Sequence, residues 1–133
     1  MKEHVLPPSA LRVRRHTKDE INQKIDNDTR RSISYYQMKP RSEVLARIME
    51  LDKEWDVERT LEANASTLIL SSLSLYLWKQ KRGFVLFSGV ISAFLLQHAL
   101  QGWCPPLALI RRKGVRTRAE IEEEKYGLLK ILE

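Results

Sequence analysis

The sequence has little of the chemistry that usually marks a catalytic or metal-binding protein. Its 133 residues include one cysteine and three histidines. One cysteine cannot form an internal disulfide, so nothing indicates a disulfide-stapled extracellular scaffold. Two histidines, His4 and His16, precede the first predicted helix, and none of the three completes a tetrahedral metal set with the cysteine. We therefore predict no metal and no cofactor.

Charge is scarce in the middle of the chain. Between Ala63 and Ile110 the only charged residues are Lys79, Lys81 and Arg82. The net charge is +1 over residues 1–62 (13 basic, 12 acidic), +3 over 63–110 and +2 over 111–133 (7 basic, 5 acidic). No nucleic-acid-binding motif or aromatic-interleaved basic stripe accompanies this excess. Basic residues at the edges of an apolar block suit lipid headgroups, so we expect a lipid bilayer as partner and no nucleic acid.

Two uncharged runs predict membrane spans. Residues 63–78 and 83–102 are free of charge, and as helices they are about 24 Å and 30 Å long. The hydrocarbon core is about 30 Å thick, so the first run needs Thr60 and Leu61 to cross it. The alternative, a buried hairpin in a soluble protein, is disfavoured because the flanks carry too little apolar surface to cover two such helices. We expect spans at about 60–78 and 83–102.

Small side chains suggest how the spans pack, because they let helix backbones approach closely. We expect the facing residues to be Ala63, Thr67, Ser71 and Ser74 on the first span, and Ser88, Gly89, Ser92, Ala93 and Ala99 on the second. The lipid-facing or partner-facing residues would then be Phe84, Phe87, Ile91, Phe94 and Leu95.

The flanks predict amphipathic helices. Thr17 and Glu20 have the spacing of a capping box, and Ser42 is a candidate cap for a second helix. That second helix carries an apolar stripe, which packs on a protein neighbour or lies in the membrane interface: Val44, Ile48, Leu51 and Trp55. Thr117 and Glu120 form another capping box before a C-terminal helix, where glutamates 122–124 predict a solvated face.

The predicted fold class is all-α, a two-span transmembrane helical hairpin with amphipathic cytoplasmic helices on both flanks. We expect a flexible tail at 1–16, cytoplasmic helices at 17–59, the hairpin at 60–104, and a basic juxtamembrane segment with the C-terminal helix at 105–133. The tail offers no apolar stretch after its basic residues, which argues against a cleaved signal peptide.

Orientation follows from the basic residues beside the spans. Three stand in the turn and eight on the outer side of the hairpin: Arg47, Lys53 and Arg59 before it, and Arg111, Arg112, Lys113, Arg116 and Arg118 after it. Because basic residues favour the cytoplasmic side, we expect both termini in the cytoplasm.

Residues 55–66 (WDVERTLEANAS) and 95–132 (LLQHALQGWCPPLALIRRKGVRTRAEIEEEKYGLLKIL) resemble the bacterial YgaP-like inner-membrane domain family, a domain of unknown function that is sometimes fused behind a rhodanese domain. Its most specific elements are the Glu58-Arg59 pair and the motif Gly102-Trp103-Cys104-Pro105-Pro106. The resemblance implies the bacterial inner membrane, cytoplasmic termini and a hairpin that tends to dimerise. It implies no catalytic residues, and no rhodanese active-site loop precedes the hairpin.

The sequence QHALQGWCPP at residues 97–106 holds the candidate functional residues, and several interpretations compete for it. His98 and Cys104 are too few for a metal site, and no base and orienter for an enzyme nucleophile are recognisable by spacing. A haem-binding or redox-sensing cysteine remains an alternative. In the structural interpretation, Gln97, Gln101 and His98 satisfy free backbone carbonyls or each other. Gly102 then permits the turn, Trp103 anchors the interface, and Pro105 and Pro106 stop the helix.

The sequence therefore predicts a small membrane protein without enzymatic activity, a structural or interaction module that forms homodimers. The alternative is a redox- or ligand-responsive membrane protein that uses Cys104. An anion transporter built from oligomerised hairpins is disfavoured, because no ionisable residue lies near the middle of either span.

Overall fold

The computed structural model describes residues 10–133, and within that range the protein is all-α, with seven helices and no strand. This confirms the predicted fold class at the level of secondary structure. The helices are α1 (Arg12–Arg15), α2 (Asp19–Tyr36), α3 (Arg41–Lys53), α4 (Val57–Lys79), α5 (Arg82–Gln101), α6 (Pro105–Arg112) and α7 (Arg118–Ile131).

The chain forms two compact units. The hairpin unit contains the described residues up to His16 together with Glu58–Leu109, and the flank unit contains Thr17–Val57 and Ile110–Glu133. Residues 1–9 of the predicted tail lie outside the described residues. The remainder of that tail is not the free segment we expected, because it contains α1, whose Val13 is buried.

The core of the flank unit is built where α3 meets α7. Val44, Ile48 and Leu51 of α3 are buried against Ile121 and Leu128 of α7. The partly buried residues around this core are Ile33 and Tyr36 of α2, with Ile131 and Leu132 at the end of the chain. The apolar stripe of α3 is therefore satisfied within its own unit, which decides between the two arrangements that the sequence left open. Trp55, the last member of the predicted stripe, stays about half exposed.

Only one of the three predicted helix caps is present. Glu120 N–H donates to Thr117 Oγ1, and Thr117 N–H donates to the Glu120 carboxylate, so α7 begins with the expected capping box. The other two predictions are wrong. The residue that precedes α2 is Lys18, and the one that precedes α3 is Pro40.

Thr17 has a different role because it lies beside a buried guanidinium. Its hydroxyl accepts from Arg111 Nε at 3.1 Å. Arg111 is only 1% exposed, and it also donates to both carboxylate oxygens of Glu120 at 2.6 and 3.1 Å and to Asn22 at 2.9 Å. A guanidinium cannot lose its proton in a protein, so burial requires this complete set of acceptors.

The acidic face of α7 is the clearest departure from the sequence prediction. Glu124 is not solvated: its side chain is 1% exposed and accepts hydrogen bonds from Ser32, Arg47 and Arg116. Arg116 also binds Glu54 through two hydrogen bonds. The reason is helical spacing, since Glu124 stands four residues after Glu120 and therefore lies on the same inward face.

This network also changes the role of the basic residues that we used to predict orientation. Arg111 and Arg116 are buried and paired with carboxylates, so they do not meet headgroups. Arg112, Lys113 and Arg118 remain exposed, and Arg118 pairs with Glu122. With two residues removed, the outer side of the hairpin keeps six basic residues against three in the turn.

In the hairpin unit, α4 and α5 are joined at Gln80, which has a positive φ of 54°. Ser72 Oγ on α4 donates to the carbonyl of Phe84 on α5 at 2.7 Å, and Ser72 and Ser88 are both buried. This hydrogen bond fixes which sides of α4 and α5 face each other, and they are not the sides that we predicted. The small residues that lie exposed instead are Thr67, Ser71, Ser74, Gly89, Ser92, Ala93 and Ala99, whereas Phe84, Ile91 and Leu95 are partly buried.

Among the described helices, α5 alone is long and apolar enough to cross a membrane. Polar residues make α4 less apolar than α5: Glu58, Arg59 and Glu62 lie in its first turns, and four serines follow further along. The expectation of two spans is therefore supported on composition for the second span only.

We expect the flank unit to lose stability in acid. Its carboxylates are buried, which alone would raise their pKa values, but hydrogen bonds from Arg111 and Thr117 lower the pKa of Glu120 from 4.5 to about 2. The pKa of Glu124 is also lowered, by Ser32, Arg116 and Arg47. Since the folded-state pKa values lie below the unfolded ones, the stabilisation is complete above about pH 5 and is lost as the pH falls towards 2.

Urea unfolding of the protein in detergent micelles, followed by circular dichroism between pH 7 and pH 3, measures this loss. Glu120→Gln should lower stability at pH 7 and flatten the pH dependence. Glu123→Gln, at an exposed position of the same helix, is the matched control and should do neither. If the stability of Glu120→Gln depended on pH as steeply as that of the unaltered protein, Glu120 would not be the carboxylate responsible for the loss in acid.

Candidate functional site

The candidate residues of the sequence lie where α5 ends. Gly102 follows the last residue of α5, has φ 78°, and donates its N–H to the carbonyl of His98 at 2.7 Å. A Cβ built on Gly102 would stand 2.5 Å from the backbone carbon of Arg12. Glycine is therefore required here for two separate reasons, a left-handed backbone conformation and the close approach of α1.

The prolines do not act as we predicted. The helix has already ended at Gln101, and Pro105 is instead the first residue of α6. Proline suits the first position of a helix because its fixed φ is helical and no N–H is needed there. Cys104 immediately precedes α6, and its carbonyl accepts from Leu107 N–H at 3.1 Å.

The side chains of the two glutamines are hydrogen-bonded to each other, which is one of the two arrangements expected for them. Gln97 Nε2 donates to Gln101 Oε1 at 2.7 Å on the exposed side of α5. Trp103 is about half exposed, as an interfacial anchor requires. His98 is buried, and its Nε2 lies against the carboxylate of Glu58.

The buried side of this turn holds a cluster of four residues from the hairpin unit: Arg12 of α1, Glu58 of α4, His98 of α5 and Cys104. His98 Nε2 lies 2.9 and 3.0 Å from the two carboxylate oxygens of Glu58. Arg12 Nη2 donates to Glu58 Oε1 at 2.6 Å. Glu58 therefore bridges a guanidinium and an imidazole.

Electrostatics keep this carboxylate ionised. Partial burial of Glu58 would by itself raise its pKa, but the hydrogen bond from His98 and the positive charge of Arg12 together lower it. A carboxylate only accepts hydrogen bonds, so Nε2 of His98 must carry the proton in their contact. This fixes which imidazole nitrogen is protonated.

The other imidazole nitrogen is the exceptional atom of the cluster. Nδ1 of His98 is buried and has no hydrogen-bond partner. The thiol of Cys104, itself 3% exposed, lies beside the same imidazole and interacts with it. A polar atom that is buried without a partner is costly, which makes Nδ1 of His98 one of the least satisfied atoms of the cluster.

Sequence reasoning identified three members of the cluster separately but did not bring them together. Glu58 and His98 are 40 residues apart, and no spacing rule links them. Arg12 was missed, because it stands in a basic run that we interpreted as a flexible tail. Arg59, the partner of Glu58 in the motif, is exposed.

The described residues contain no group of three or more histidine, cysteine or acidic side chains placed to hold a metal ion. What the cluster does show is a carboxylate that holds an imidazole through Nε2, with a guanidinium paired to the same carboxylate.

No family model matches the chain, and no curated protein or solved structure is significantly similar to it. The resemblance to YgaP-like domains consequently stays a prediction.

Substitution of Gly102 tests how tightly the exit turn is constrained. We expect Gly102→Ala to cost about 1–2 kcal/mol for the left-handed φ and about 1–3 kcal/mol more for the clash with Arg12. Gly114→Ala is the matched control, because Gly114 has φ 85° but open space around a Cβ, so only the first cost applies. The measurement is thermal unfolding in micelles. Equal destabilisation by both variants would show that α1 does not pack at Gly102.

Proposed function

We propose that the protein is a small integral membrane protein whose hairpin unit is embedded in the bilayer and whose flank unit serves as a cytoplasmic interaction module. The observation that carries this proposal is the exposure of α5. Only Ser88 and His98 are buried among its 20 residues, while apolar side chains such as Leu86 and Leu96 are exposed. An apolar core helix of a soluble protein would be covered, and the exposed apolar surface of α5 supports its placement in lipid.

The second half of α4 completes the proposed two-span hairpin. Its exposed side chains are apolar at Leu70, Leu77 and Trp78. Three hydroxyl groups of α4 are satisfied inside the unit or along the helix: Thr67 donates to the carbonyl of Ala63, Ser72 to that of Phe84 and Ser74 to that of Leu70. A hydroxyl bonded to a backbone carbonyl is acceptable in hydrocarbon, so these residues do not exclude a span.

The proposed site of the protein is the bacterial inner membrane, with both termini in the cytoplasm. The orientation is supported by five exposed basic residues on the outer side of the hairpin against three in the turn: Lys53, Arg59, Arg112, Lys113 and Arg118. The resemblance of residues 55–132 to YgaP-like domains supports the same topology.

We further propose that two copies associate through the outward face of α5. Gly89 and Ala93 lie opposite the side that packs on α4, and nothing lies within 4 Å of a Cβ built on Gly89. Two such faces permit close approach of two backbones, which is how small residues promote helix association in lipid.

Reporter fusions test the topology. A reporter active only in the periplasm, fused after Gln80, should give signal, and the same reporter after Glu133 should give none. A cytoplasm-only reporter at the same two positions supplies the reciprocal control. Signal from the periplasmic reporter at Glu133 would show that the orientation is the opposite of the proposed one. Absence of signal at both positions would contradict the membrane hairpin.

Leucine substitution tests the dimer face. We expect Gly89→Leu to weaken self-association in micelles by about 1 kcal/mol, roughly fivefold in the equilibrium constant, because the added side chain separates the backbones. Val90→Leu is the matched control, since residue 90 lies about 100° further around the helix. Sedimentation equilibrium measures both. A dimer unaffected by Gly89→Leu, or weakened equally by Val90→Leu, would place the interface elsewhere.

A further inference from the structure

We propose that the flank unit binds the phosphate group of an organic phosphomonoester in a cavity lined by α2, α3, α7 and residues 111–116. The ester is either a soluble molecule or the headgroup of phosphatidic acid, because both present the same dianion. The cavity lies within the flank unit, so the inference goes beyond the proposed membrane-module function and does not rest on it.

The cavity is large enough for a small molecule and is strongly basic. Its volume is about 340 Å³, which is within the range of ligand sites. Six of the residues that line it are basic and two are acidic, which leaves a surplus of four positive charges. The basic residues are Lys24, Arg47, Arg111, Arg112, Lys113 and Arg116. A concave surface of one sign attracts an ion of the other, so the expected occupant is an anion.

The buried charges of the lining are already engaged in ion pairs. Arg111 donates to both carboxylate oxygens of Glu120, and Arg116 donates to Glu54 and Glu124. Glu124, one of the two acidic residues of the lining, thus faces a guanidinium instead of the open space. These pairs hold the shape of the cavity and are not available to a ligand.

The exposed cations of the lining are different. In the part of the chain that the structure describes, the side chains of Lys24, Arg112 and Lys113 form no ion pair and no hydrogen bond. The second acidic residue of the lining, Asp28, pairs at 3.8 Å with Arg31, which does not line the cavity. Three cations around one space repel each other, and an anion between them would turn that repulsion into attraction.

The charges and donors of these residues select the class of anion. A carboxylate or a phosphodiester has one negative charge, whereas a phosphomonoester has about −1.5 to −2 at pH 7 and three terminal oxygens. The guanidinium of Arg112 is suited to bind two of these oxygens at once, and the ammonium groups of Lys24 and Lys113 act as point charges. A phosphomonoester therefore matches the three cations better than a singly charged anion.

An apolar wall indicates that the phosphate belongs to an organic molecule. Ile21 and Ile25 stand one turn apart on α2 and both line the cavity, and Ile25 is only 4% exposed. Inorganic phosphate gains nothing from this wall, whereas the carbon atoms of an ester bury apolar surface against it. We therefore expect an ester to bind more tightly than inorganic phosphate.

Isothermal titration calorimetry tests the site in the full chain, in uncharged micelles at low salt. The probes are inorganic phosphate, glycerol 3-phosphate and dihexanoyl phosphatidic acid, with acetate as the singly charged control. We expect saturable binding of the esters, weaker binding of inorganic phosphate and none of acetate. Equal affinity for the two esters identifies a soluble ligand, and tighter binding of phosphatidic acid identifies the lipid. If neither ester bound saturably, or if acetate bound as tightly as glycerol 3-phosphate, the proposal would be wrong.

Charge-removing variants assign the binding to the cavity cations. Lys24→Gln and Lys113→Gln should each weaken ester binding about tenfold, because each removes a charged hydrogen-bond donor. Lys130→Gln is the matched control, since Lys130 is an exposed lysine of the same unit that does not line the cavity. Its affinity should stay unchanged, and a loss equal to that of Lys24→Gln would mean only general attraction to a basic protein.

A bulky substitution separates the cavity from the charged surface around it. Ile21→Trp fills space beside the apolar wall and leaves every charge in place, so it should also weaken ester binding. Circular dichroism verifies that each variant is folded. Lys24→Gln and Lys113→Gln should leave the thermal midpoint without ligand unchanged or higher, because neither lysine has a partner to lose. Full affinity in folded Ile21→Trp would place the anion outside the cavity and overturn the proposal.

Discussion

The flank unit is organised by one constraint: a guanidinium that water does not reach must find all its hydrogen-bond acceptors within the protein. Arg111 is 1% exposed and has Thr17, Asn22, Val115 and Glu120 as acceptors. These come from the start of the unit, from α2, and from the segment that leads into α7. Because the charge cannot be neutralised, each of these parts has to be in place for the others to be stable. A second guanidinium, Arg116, repeats the arrangement with Glu54 and Glu124.

The hairpin unit holds a partly buried anion. Glu58 is held by Arg12 and His98, and this pairing recruits α1 to the hairpin. The pair is partly buried, and its value is positional, since Glu58 holds the imidazole of His98 through Nε2.

Sequence periodicity predicted α2, α3, α4, α5 and α7 but missed the short helices α1 and α6. It also predicted the apolar stripe of α3, because burial of Val44, Ile48 and Leu51 follows directly from helical spacing. Periodicity failed where residues that are distant in the sequence determine the environment of a side chain. Glu124 was expected in water, since nothing local indicates that Arg47 and Arg116 converge on it. Thr17 was expected to cap a helix, but its hydroxyl serves Arg111, which is 94 residues away. For the candidate site, the residue types were visible in the sequence, but the meeting of Glu58 with His98 depends on the antiparallel pairing of α4 and α5.

Glu120 has a consequence for how the flank unit opens. The same carboxylate closes the capping box with Thr117 and neutralises Arg111. The first turn of a helix ordinarily frays on its own, but here fraying would strand a positive charge away from water. The start of α7 is thereby coupled to the core, so we expect its amide protons to exchange with solvent when the whole unit unfolds. A helix end, usually the most labile part of a fold, would then be one of its slowest-opening parts.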